Sequence, residues 1–131
     1  MSGFGNYASA QVVDAAEKFI NKMDERDLAS AIEQSERTMT ADGRTLLVEA
    51  VFDAFRSRGE SSEDAAEGAG TSLDAIARRD HQAMRSLIQY AATNPGLLKE
   101  AATALIEREP QVVSQLAPQI ANGIAARLSK I

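Results

Sequence analysis

The chain has no cysteine, no tryptophan and a single histidine, and aromatic residues make up only 5% of its 131 positions. Without cysteine there can be no disulfide, thiolate metal site or cysteine nucleophile, and the composition suits a reducing compartment. With so few rings, alanine, leucine, isoleucine and valine must fill most of the interior. No apolar run approaches the roughly 18 residues needed to span a bilayer. The N-terminal MSGFGNYASA lacks the basic start and apolar stretch of a secretory leader. The expectation is therefore a cytoplasmic protein that spans no membrane.

Motifs for chemistry are equally scarce. Nucleophilic catalysis wants a base beside a hydroxyl, and the only base of that kind is His81, which stands next to Asp80. Position 78, three before His81, holds arginine instead of the acid that a helical metal motif would need. Gly68-x-Gly70 follows acidic residues and no strand, so it would repel phosphate. Asp24, Glu25 and Asp27 lack the alternating oxygens and central glycine of a calcium loop. No catalytic residue, cofactor or metal ligand is assigned.

What is present is helical periodicity. From Thr40 to Arg58, apolar side chains from Leu46 to Phe55 cover roughly 240° of the helical wheel, at about 100° per residue. A surface helix shows a narrower stripe, so the helix at 41–58 should sit centrally. Val12, Val13, Ala15, Ala16, Phe19, Ile20 and Met23 share one face of an earlier helix over 8–23. Asp27 suits the cap of a second helix, with Leu28, Ala31, Ile32 and Met39 inward and Ser35 diluting that face. Residues 59–71, with three glycines and four acids, read as an acidic Gly/Ser-rich connection that has almost nothing to bury, in which Ser61 to Asp64 could cap a single turn before Gly68 and Gly70 stop it. Residues 1–7 read as a loose tail.

Over 73–92 one continuous helix would place Asp80 in the middle of its apolar face. A bare buried carboxylate is prohibitive, so either Asp80 breaks the helix and caps a new one at His81, or it faces inward with a partner. The break is preferred. Asn94-Pro95 reads as a cap and first position for a helix reaching Arg108. Pro118 should kink the last stretch or divide it near Ala117. The sum is an all-α, single-domain bundle of five to seven short helices spanning 1–131.

Net charge is −5, unevenly distributed. Residues 1–74 hold 15 acids and 7 bases, whereas residues 75–131 hold 4 acids and 7 bases. Three functional readings follow. Gln111 to Ala126 carries no charge, and protein interfaces are depleted in charge at their core. The leading expectation is thus a non-enzymatic, self-associating protein-interaction or regulatory module. Its candidate contact residues are Val113, Leu116, Ile120, Ile124 and Leu128. The first alternative is a helix-turn-helix-like DNA regulator over 72–92, with Arg78, Arg79 and Arg85 on phosphates, although an acidic chain disfavours nucleic acid. The second is a small-molecule binder or enzyme with a pocket at Asp80 and His81, joined by Tyr90.

Overall fold

The computed structural model of the chain describes residues 8–78 and 80–129. These form eight α-helices and one 3₁₀ helix, with no strand among the described residues. In order they are α1 (Ser9–Lys22), α2 (Glu25–Thr38), α3 (Ala41–Ser57), α4 (Ser62–Gly68), α5 (Leu73–Ala77), α6 (His81–Ala92) and α7 (Leu97–Arg108). A 3₁₀ helix (Pro110–Gln115) and α8 (Pro118–Leu128) follow. The expected all-helical bundle is present, but with more helices than five to seven. The extra elements are α4, in the supposed connection, and the separate 3₁₀ helix ahead of α8. The loose tail expected for 1–7 lies outside the described residues.

Side-chain caps set most of the boundaries. Thr40, Ser61, Ser72 and Asp80 each accept a hydrogen bond from a backbone N–H in the first turn of the helix that follows. Asp24, not Asp27, caps α2, taking the Arg26 N–H at 2.7 Å. That choice leaves Glu25 and Asp27 in the first turn, where the helix dipole favours acids. Asn94-Pro95 does not open α7 either. The chain makes a turn there, and Gly96 at φ 79° leads into Leu97. Glu25 of α2 accepts the Gly96 N–H, so this left-handed corner is tied to a neighbouring helix.

Helix α7 is the best-connected element, packing on α1, α2, α3, α6 and the 3₁₀ helix. Leu97, Leu98, Ala101, Ala102, Leu105 and Ile106 are all buried, and the two alanines let neighbours approach closely. Helix α3 packs most extensively on α7 and leaves Leu46 and Val48 half-buried. The centre expected at 41–58 is therefore shared, with α7 holding the larger part. Ala65 and Ala66 of α4 are buried, so the segment 59–71, expected to have almost nothing to bury, does contribute to the core. Two methyl groups on one turn suffice to seat a short helix against α3 and α6.

Of the two expected effects of Pro118, a kink or a division, the structure shows the division, because proline fits the first turn of a helix and not its interior. The start of α8 is anchored from α2. Ser35, fully buried, donates to the Ala31 carbonyl at 2.7 Å and accepts the Ala117 N–H at 2.8 Å. Ser35→Ala would strand a buried N–H, a loss of about 1–3 kcal/mol. The urea midpoint should fall accordingly with an unchanged slope; an unmoved midpoint would show that Ala117 finds another acceptor.

Candidate functional site

Helices α2 and α6 lie side by side and leave a cleft of about 680 Å³ between them. Glu33, Glu36 and Arg37 line one wall, and His81, Gln82, Arg85, Ser86 and Gln89 line the other, with buried Ile88 beneath. Its position follows from local sequence. Leu28, Ile32 and Glu36 recur every four residues on the inner face of α2, so the carboxylate is carried inward along with the two apolar side chains. Opposite it, the Asp80 cap starts α6 at His81 and thereby sets where the imidazole emerges.

The charges in this cleft are layered. Glu36, with a side chain only 4% exposed, meets the Nδ1 of His81 at 2.6 Å, while His81 is 60% exposed. Glu33, 22% exposed, pairs with the Nε of Arg85 at 3.2 Å, while Arg85 is 50% exposed. The acids form the inner layer and the bases the outer one. Arg37 is exposed and has no ion-pair or hydrogen-bond partner among the described residues. A ligand entering from solvent therefore meets guanidinium and imidazole groups first, with two carboxylates behind holding them in place.

Glu36 also bears on stability. Burying an ion pair costs more in desolvation than it returns, unless every group is satisfied. Here only the acid is buried, so its removal strands no buried cation. Glu36→Leu should thus stabilise the fold by about 1–3 kcal/mol, read as a higher urea midpoint. A lower midpoint would mean that His81 depends on Glu36 for packing as well as orientation.

Of the residues expected at a site, the structure brings only His81 and Arg85 into the cleft. Asp80 is an exposed helix cap that accepts the Gln82 N–H at 3.1 Å, the preferred one of its two expected roles. Arg78 is exposed at the end of α5, and Arg79 lies outside the described residues. Tyr90 is not with Asp80 and His81. It lies nine residues further along α6, about 13 Å by helical rise, stacked on Phe55 and donating to Glu60 at 2.6 Å. The candidate contact residues of the C-terminal stretch are placed differently again. Val113, Ile120, Ile124 and Leu128 are buried in the chain's own core and Leu116 is half-buried, so a partner could not reach them without opening the bundle. Their segment lacks charge because its inner face is core. Glu33, Glu36 and Arg37 escaped the sequence reading, although the four-residue spacing from Ile32 to Glu36 carried the signal.

Chemically, the Glu36 carboxylate on Nδ1 can orient the imidazole and leave Nε2 toward solvent. Among the described residues no hydroxyl bonds to His81, and no three His, Cys, Asp or Glu side chains converge as a metal site. Elsewhere, the hydrogen bond from Arg108 beside Asp53 holds that carboxyl below its usual range, with Arg56 adding to the effect. Asp53 is too exposed for this to weigh much in stability. The hydrogen bond to Glu60 pushes the Tyr90 hydroxyl above its ordinary value of 10.0, and burial and nearby acids act the same way. Since the folded-state value is raised, the contribution is intact below pH 10 and is lost as pH climbs through the folded value. Between pH 9 and 11 the wild-type melting temperature should therefore fall more steeply than that of Tyr90→Phe. Parallel slopes would contradict the Glu60 contact. Compared with known proteins, the chain matches no family model, no curated protein and no solved structure.

Proposed function

We propose that the protein is a non-enzymatic interaction module whose α2–α6 cleft takes an acidic segment of a protein partner. The observation that carries this reading is the layered charge: inner Glu33 and Glu36 fix outer Arg85 and His81, and Arg37 beside them has no partner among the described residues. Gln82, Ser86 and Gln89 add neutral donors and acceptors along the same wall. The cleft volume lies within the roughly 300–1,000 Å³ of ordinary ligand sites. No helix among the described residues is long and apolar enough to cross a membrane. A cytoplasmic setting accords with the reading.

The test is a titration of ¹⁵N-labelled protein with a short glutamate-rich peptide, using a lysine-rich peptide as control. Shifts should map to Arg37, His81, Gln82, Arg85 and Gln89 for the acidic peptide alone, and Arg37→Glu should remove them. Shifts that map elsewhere, or none at all, would refute the proposal.

One observation favours a second reading. A three-residue link joins α5 to α6, and the exposed strip of α6 is His81, Gln82, Arg85 and Gln89, with no acid among them. That pattern suits a helix reading base edges. Against it, α5 is a single turn of five residues and Glu33 already holds Arg85. A gel shift over a salt series separates the two, because a DNA complex weakens steeply as salt rises.

A further inference from the structure

We infer that the acidic segment entering the cleft is α4 of a second copy of this chain, an inference resting on the cleft reading above. Helix α4 and its approach carry Glu60, Glu63, Asp64 and Glu67. Glu60 is occupied by Tyr90, whereas Glu63, Asp64 and Glu67 are exposed and have no cationic partner among the described residues. Arg37 and Arg78 lack partners in the same sense. No ion pair among the described residues joins α4 to the cleft. One copy therefore presents both an acidic helix and, at the rim of the cleft, Arg37, each without an opposite charge among the described residues and each able to meet the other on a neighbour.

The placement of the two surfaces permits the pairing. Helix α4 packs on α3, α5 and α6, and α2 packs on α6, α7 and α8, so both surfaces flank α6 without sharing a wall. Helix α4 has seven residues, about 10 Å long, and presents its acids on the side away from buried Ala65 and Ala66. Leu73 is the one exposed large apolar side chain among the described residues, so no apolar patch is available to drive association. The contact is polar, reversible and sensitive to salt. Each chain's net charge of −5 repels a second copy at long range, but about 0.1 M salt screens beyond roughly 10 Å and leaves local complementarity to act.

Sedimentation velocity over a wide concentration range, at about 0.1 M and about 0.5 M salt, tests the inference on the full chain. Association is expected at the lower salt and should weaken at least about tenfold at the higher. Arg37→Glu and the double variant Glu63→Lys/Glu67→Lys should each be monomeric alone. An equimolar mixture of the two should associate, since one supplies an intact α4 and the other an intact cleft. All the altered residues are exposed, and circular dichroism confirms that each variant is folded. A wild-type chain that stays monomeric, or association that neither variant disturbs, would overturn the inference. If the wild type is monomeric yet binds the glutamate-rich peptide through Arg37, only the second-copy assignment fails. If it does neither, the cleft reading fails as well.

Discussion

Phe55→Ala should cost about 3–5 kcal/mol and lower the melting temperature by roughly 10–20 °C. Phe55 is completely buried and is among the largest fully enclosed side chains of the core. Its ring stacks on Tyr90 with centroids 5.4 Å apart and planes inclined by 17°. The substitution thus removes an aromatic transfer term, leaves a void, and strips one face from the tyrosine that Glu60 holds by hydrogen bond. The void cannot be refilled cheaply by moving the tyrosine: a Cβ placed on Gly68 would already sit 2.6 Å from the Tyr90 ring, so α4 also packs closely on that side chain. Phe55→Leu keeps most of the volume and should cost much less, on the order of 1–2 kcal/mol. Calorimetry on both variants is the measurement. A loss below about 1 kcal/mol for the alanine variant would mean that the α3–α6 seam closes over the gap.

The same seam shows what could be read from sequence. The apolar breadth of 41–58 required neighbours on several sides, and those neighbours are α4, α6 and α7. The reading could not rank α3 against α7. Their apolar faces look alike on a wheel, and what distinguishes α7 is the set of elements packed on it, α1, α2, α3, α6 and the 3₁₀ helix. Caps are legible where the pattern points to one residue, as at Asp80, while the central helix offers Thr40 or Asp42, of which Thr40 caps it. They were misread where several competed, as in Asp24-Glu25-Arg26-Asp27, because the cap is decided by which backbone N–H groups are left free. Helix α4 is legible only as a possible capped turn, because alanine carries a weak hydropathy signal and gives no sign that Ala65 and Ala66 are buried.

The cleft was legible only in halves. Asp80 is conspicuous in the sequence as a carboxylate on an apolar face, and the helix breaks there so that it caps α6. The same argument applied to α2 would have placed Glu36 inward beside Leu28 and Ile32, with no break available to rescue it. Its partner was not recoverable, since His81 lies 45 residues away and pairing across helices has no local signature. Arg37 gains meaning only from its neighbours' being already engaged, which is a property of the folded surface and not of the sequence.

Ending the chain after Glu109 should abolish cooperative folding. The removed part contributes Val112, Val113, Ala117, Ile120, Ile124 and Leu128 to the core, all at most 4% exposed. At about 1.5–3 kcal/mol for each of the five larger side chains, the loss is on the order of 10 kcal/mol, comparable with the whole stability of a domain this size. Further losses follow on the partners left behind. Ser35 loses the N–H it accepts and Thr40 loses Gln115, which takes both its N–H and its hydroxyl. Helix α1 loses α8, where Phe19 lies against Gly123 so closely that a Cβ there would sit 2.1 Å from the ring. Far-UV circular dichroism and amide dispersion should therefore show an unfolded or molten chain, and thermal melting should lose its sigmoid. The outcome also decides between two meanings of a charge-free helix. If 111–131 were a detachable contact surface, the remaining 109 residues would stay folded and lose only their ability to associate. If it is a wall of the core, as the burial of Ile120, Ile124 and Leu128 requires, nothing folded is left to associate. A truncated chain that keeps native dispersion would contradict the packing of α8 on α1 and α2, and would make that helix a surface free to meet a partner.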